Sequence, residues 1–242
     1  MLYLTEDAHS DLHQNLVARM LLTMMNEHFK LDQSRTHWGA RALRIGGVEV
    51  SMFPGSAFGW SGPYEALHVI FGPVQGRPQG GSGVFQDGRP FIRLDWFLEP
   101  TDVADCIAEF LHDPHAQSTT LHELIHFLDA LRNPTVHDDK DHSADETYYN
   151  SPEEFNAFFH NVADGLLNFI QVARTGLPED YLARFAKAKR IDRNFTRTIV
   201  NLLDQTAENH AVQGFLNHLN DRNNRSLLKR LYKLHQEALP YL

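Results

Sequence analysis

Leu121-His122-Glu123-Leu124-Ile125-His126-Phe127-Leu128 is the stretch on which the reading of this 242-residue chain turns. Two histidines at positions i and i+4 of a helix lie one above the other, about 5–6 Å apart at Cβ, so both imidazoles can reach one metal ion. Glu123 is rotated by about 100° from His122 along such a helix, which makes it a poor ligand but places it to hydrogen-bond water at the metal. That is the position of a general base. Zinc suits two imidazoles and no thiolate. Leu121, Leu124, Ile125 and Leu128 would tie the rest of the helix into a core and hold the histidines rigidly. With 15 histidines and 13 glutamates in the chain, composition alone yields an H-E-x-x-H about 0.05 times. The bland alternative is three polar residues on a solvated helix face, and the surrounding sequence argues against it.

Upstream the pattern is that of strands. Residues 42–53 and 66–71 are apolar runs bounded by Gly and Pro, and Val84-Phe85 and residues 91–97 flank Asp87-Gly88, a strong hairpin signal. Residues 76–83, rich in Gly and Pro, read as an exposed loop without the lysine of a phosphate cradle. A first amphipathic helix spans residues 10–29, with Leu12, Leu16, Met20, Met24 and Phe29 as its apolar stripe. Thr101 can cap a helix through His112, and Asp113-Pro114 opens the motif helix, which ends near Asn133-Pro134. Downstream, residues 137–146 form a short, charged, unstructured-looking segment. Ser151-Pro152 then opens a long helix to about Thr175, followed by helical patterns at 179–189, 193–219 and 224–238. The expected fold is α+β, a small twisted and mostly antiparallel sheet plus the motif helix, followed by a helical C-terminal half. Its parts are an N-terminal lobe over residues 1–135 and a helical lobe over 136–242, within a single domain.

A catalytic zinc needs a third protein ligand. The extended H-E-x-x-H-x-x-G-x-x-H motif is excluded, because positions 129 and 132 are Asp129 and Arg132. Tyr148-Tyr149-Asn150-Ser151-Pro152-Glu153-Glu154-Phe155-Asn156-Ala157 puts two glutamates in the first turn of a long helix. Here the chain resembles the gluzincin metallopeptidases, and Pro152-Glu153-Glu154-Phe155-Asn156-Ala157 is similar to their second motif, Pro-x-Glu-x-x-Ala. The resemblance implies a zincin-like fold, Zn2+ held by His122, His126 and Glu154, and peptide-bond hydrolysis with Glu123 as base. It also implies an extended substrate lying along an edge strand, residues 91–97 or their neighbour. Ser151-x-x-Glu154 is equally a capping box, in which the glutamate folds back on the cap. Glu153, or His142 or Asp145 of the acidic segment, could be the ligand instead. Position 158 is Phe where the thermolysin pattern has an aspartate that orients a zinc histidine, which leaves Asp129 as the candidate for that task. Tyr148 and Tyr149 are the nearest oxyanion donors in sequence, with His142, His160 and His210 as others.

Composition narrows the partners. A net charge of −9, with no basic cluster interleaved with aromatics, points away from nucleic acid and anionic membranes. No apolar run approaches the roughly 18 residues of a spanning helix, and Cys106 is the only cysteine, so no disulfide closes within the chain. A cytoplasmic hydrolase acting on a protein or peptide is the expectation. The rivals are a catalytically inactive zincin-like scaffold with structural zinc and a zinc hydrolase of a small amide.

Overall fold

The computed structural model describes residues 11–32, 48–54, 66–73, 79–84, 90–97, 108, 110–132, 145–176, 191, 195 and 210–238. Among them the chain is mostly helical with one small mixed sheet. Strands β1 (Val48–Pro54), β2 (Ala66–Pro73), β3 (Gln79–Val84) and β4 (Pro90–Phe97) are ordered β1-β2-β4-β3. The outer pairings are antiparallel and the central pair, β2 with β4, is parallel. Two of the three pairings are thus antiparallel, in line with the mostly antiparallel sheet expected, and the central parallel pair makes the sheet mixed. β4 alternates cleanly: Ile92 and Leu94 are buried, while Arg93 and Asp95 pair at 2.7 Å. Ile92 stands opposite Val69 of β2, also fully buried. Burying each such side chain stabilises the sheet by about 1.5–3 kcal/mol.

One expectation changes here and another narrows. The glycine-rich stretch expected as a loop contains β3, which pairs with β4 from Gln79↔Asp95 to Val84↔Pro90. Gly80 within it serves a close approach to a helix and not a turn. Of the strands expected as an edge, residues 91–97 or their neighbour, β4 is interior, bonded to β2 on one side and β3 on the other, and among the described residues its neighbour β3 is the edge.

Helix α1 spans Asp11–Asp32 and α2 spans Pro114–Arg132. Asp113 caps α2, its Oδ1 accepting the N–H of His115 at 2.7 Å and of Ala116 at 3.4 Å, and Pro114 needs no partner for its nitrogen. α2 packs on β3 and β4, with Thr119 and Glu123 meeting β3 at Gly80, and it buries Leu121, Leu124, Ile125, Phe127 and Leu128. Asn26 of α1 donates to Gln117 of α2 at 2.6 Å. α1 buries Ala18, Leu21 and Met25, whereas Leu16 is 50% exposed. The expected stripe was thus out of phase, since α1 carries apolar residues on more than one face and periodicity alone does not choose between them.

The chain divides into two compact units, the sheet with α2 and the part of α1 from Leu16 onward, and a helical unit that includes residues 11–15 of α1. The helical unit contains α3 (Asp145–Asn150), α4 (Pro152–Gly176), α5 (His210–His218) and α6 (Asp221–Ala238). Phe155, Phe158, Phe159, Val162, Leu166, Phe195, Phe215, Leu227, Leu231 and Leu234 form its core. Arg230 of α6 grips Asp11 through two hydrogen bonds (3.1 and 2.7 Å), reaches Asn156 of α4 at 2.6 Å, and stacks 3.7 Å over Phe159. α6 starts three residues earlier than expected, because Asn220 Oδ1 accepts the N–H of Asn223 at 2.8 Å and caps it. The end of the segment expected to be unstructured, Asp145-Glu146, is the first part of α3. The strand start at 42–47, the Asp87-Gly88 turn, most of the 101–112 helix with Cys106, the segment 137–144 with His142, and the 179–189 helix lie outside the described residues, as does all of 193–209 except Phe195.

Candidate metal centre

His122 and His126 lie one turn apart on α2, as their spacing requires, with Nε2 atoms 3.1 Å apart and rings nearly perpendicular at 76°. Two nitrogens bound to one tetrahedral zinc at about 2.0–2.1 Å would stand about 3.3 Å apart. The pair therefore fits a shared cation. Without a cation one ring can donate to the other at this distance, the direction depending on the tautomer. His122 is buried and His126 half-buried. Asp129, the expected orienting carboxylate, is half-buried one turn past His126.

Glu123 is only 7% exposed, and Gly80 of β3 lies against it. A Cβ on Gly80 would stand 2.7 Å from Thr119 Cγ2, 2.8 Å from Glu123 Cγ and 2.9 Å from Glu123 Oε1. Only glycine lets the strand come this close. Gly80 is thus a residue that sequence reasoning missed, and its signal, an isolated glycine within a strand pattern, was obscured by the glycines around it.

In the helical unit Ser151 caps α4. Its carbonyl accepts Phe155 N–H at 2.9 Å and its Oγ accepts Glu154 N–H at 3.4 Å. A full capping box would give the Ser151 N–H to the Glu154 carboxylate. That N–H is donated instead to the Tyr148 carbonyl at 3.1 Å. Glu153 and Glu154 are both half-buried and Ala157 is fully buried.

Tyr148 and Tyr149, the expected oxyanion donors, have their rings against the aromatic core. Tyr149 stacks on His218 of α5 at 5.6 Å and lies 5.2 Å from the Phe158 ring. Its hydroxyl is 2.5 Å from where a Cβ of Gly214 would be, so it is packed against α5. His160 is fully buried on α4, with its carbonyl accepting from Asn15 at 3.0 Å; the His210 side chain lies outside the described residues. His235, on α6, has its pKa lowered from 6.5 to about 4 because burial disfavours the charged ring.

His122, His126 and Glu154 each offer one ligand atom, and these atoms lie within 4.8 Å of one another, a group that could hold a metal ion. Among the described residues no helix is long and apolar enough to cross a membrane. No protein-family model matches the chain, and neither a curated protein nor a solved structure matches it.

Proposed function

We propose that this chain is a zinc-dependent peptidase of the zincin-like, gluzincin type, in which His122, His126 and Glu154 hold the metal and Glu123 is the general base. The observation that carries the reading is the convergence of two imidazole nitrogens 3.1 Å apart, with a carboxylate oxygen within 4.8 Å. Two imidazole nitrogens and one carboxylate are a donor set suited to zinc, and a catalytic zinc would keep one further position for water. When bound, the ion supplies Lewis acidity that activates water near neutral pH and polarises a carbonyl. Glu123, next to His122 and against Gly80 of β3, takes the proton from the attacking water and passes it to the leaving amine. The outer edge of β3 would align an extended peptide by backbone hydrogen bonds. A single cysteine and the lack of any apolar run long enough to span a membrane fit a cytoplasmic setting.

The test is metal content and peptide turnover of the whole chain beside three variants. His122→Ala and Glu154→Ala should each lower zinc occupancy well below one per chain. Glu123→Gln should keep the zinc and reduce turnover by about 10²–10⁴-fold. A chain that holds no zinc under metal-replete conditions, or a Glu123→Gln variant that turns over normally, would overturn the proposal.

A further inference from the structure

The junction between α3 and α4 is tied to the junction between α5 and α6 by one asparagine. Asn150 Nδ2 donates to the carbonyls of Glu146 and His218, both at 2.7 Å. Its Oδ1 accepts the Asn220 N–H at 3.1 Å and Asn223 Nδ2 at 3.0 Å, and Asn223 Nδ2 also reaches the Asn150 carbonyl at 3.3 Å. Both donor hydrogens and both lone pairs of one amide are thereby engaged, which fixes its orientation as well as its position. The preceding residue is fixed by a different force, the Tyr149 ring lodged between Gly214, His218 and Phe158. The next residue, Ser151, caps α4 through Glu154. Three consecutive residues thus carry the restraint from α5 and α6 to the turn that presents Glu154.

We propose that this clasp, Asn150 with Asn223 and the Tyr149–Gly214 contact, positions Glu154 for metal binding, so that the C-terminal helices belong to the metal site without supplying a ligand. The inference rests on the reading of Glu154 as the third ligand. Asn223 and Gly214 are positioning residues. Loss of a supporting contact beyond the ligands of a metal site weakens binding by about 10–100-fold, and the clasp, acting through the backbone, belongs near the lower end.

The experiment is a cobalt(II) titration of the full chain, followed by the visible absorption of the bound ion, for the parent chain and four variants. Asn223→Asp keeps the volume but replaces a donor with an acceptor facing the Asn150 oxygens. Gly214→Ala displaces the Tyr149 hydroxyl and leaves every hydrogen bond of the clasp in place. Both should bind cobalt about tenfold more weakly and show an altered absorption band. Leu234→Val, in the core of the same unit, should lower thermal stability while leaving affinity and band unchanged. Glu154→Ala separates the two readings. If it binds as the parent does, the ligand assignment falls. If it binds weakly while Asn223→Asp and Gly214→Ala bind as the parent does, the clasp proposal alone falls. An equal loss of affinity in Leu234→Val would reduce the clasp to general stability and overturn it too.

Discussion

The two helices that carry the candidate ligands are seated by opposite means. α2 meets β3 at Gly80, where any Cβ would collide with Thr119 and Glu123. α4 is seated by atoms that are present: the rings of Phe158 and Phe215 stacked 5.2 Å apart, Arg230 lying over Phe159, and the Asn150 clasp at its start. One helix is positioned by a missing side chain and the other by an assembly of side chains. Adding atoms should therefore disturb the first, and removing atoms the second.

The largest effect should come from Phe215→Ala, which empties the space among Tyr149, Phe155 and Phe158. A fully buried phenylalanine lost to a cavity costs about 3–5 kcal/mol, read as a lower urea midpoint. An unchanged midpoint would mean that the aromatic cluster does not support α4. Acid should act on the same unit. His235 titrates at about 4 in the fold against 6.5 unfolded, so between these values the unfolded chain binds the extra proton. Stability is full above pH 6.5, falls by at most ~1.4 kcal/mol per pH unit as acid is added, and levels off below pH 4. The loss totals about 3 kcal/mol, and urea midpoints of His235→Gln across this range should lack that slope.

On the α2 side Gly80→Ala should cost about 1–3 kcal/mol by overpacking and move the Glu123 carboxylate. Stability and turnover of that variant, compared with Gly81→Ala, check this directly. Nothing lies within 4 Å of a Cβ at Gly81, so that variant should keep its stability or gain up to about 1 kcal/mol. Equal losses at the two positions would show that glycine is needed there for strand geometry and not for the approach to α2.

The same contrast explains what could be read from the chain beforehand. The histidine pair, the Asp113 cap and the alternation of β4 all rest on residues within a few positions of one another, and local periodicity reveals them. Glu154 was legible as one of two glutamates in a first turn, but the choice between cap and ligand depends on where the Ser151 N–H goes, which the sequence leaves open. Asn150 and Asn223 meet across 73 positions, and each alone is an ordinary turn or cap residue. Gly80 was hidden for another reason: glycines that mark a loop and a glycine that admits a helix look alike until the helix is in place. α1 misled because apolar residues on several faces offer more than one phase.

Gly80 and Gly81 also bear on how the sheet breathes. Each glycine gives up about 0.5–1 kcal/mol of strand stability relative to alanine, and among the described residues β3 pairs with β4 alone. Local opening starts where restraint is weakest, so β3 lifts from β4 before Ile92 and Leu94 lose their protection. Because Gly80 in the same backbone lies against Glu123, each lift hydrates that carboxylate and frees its rotamers. Opening of β3 would thus couple one side of the sheet to a carboxylate carried by α2.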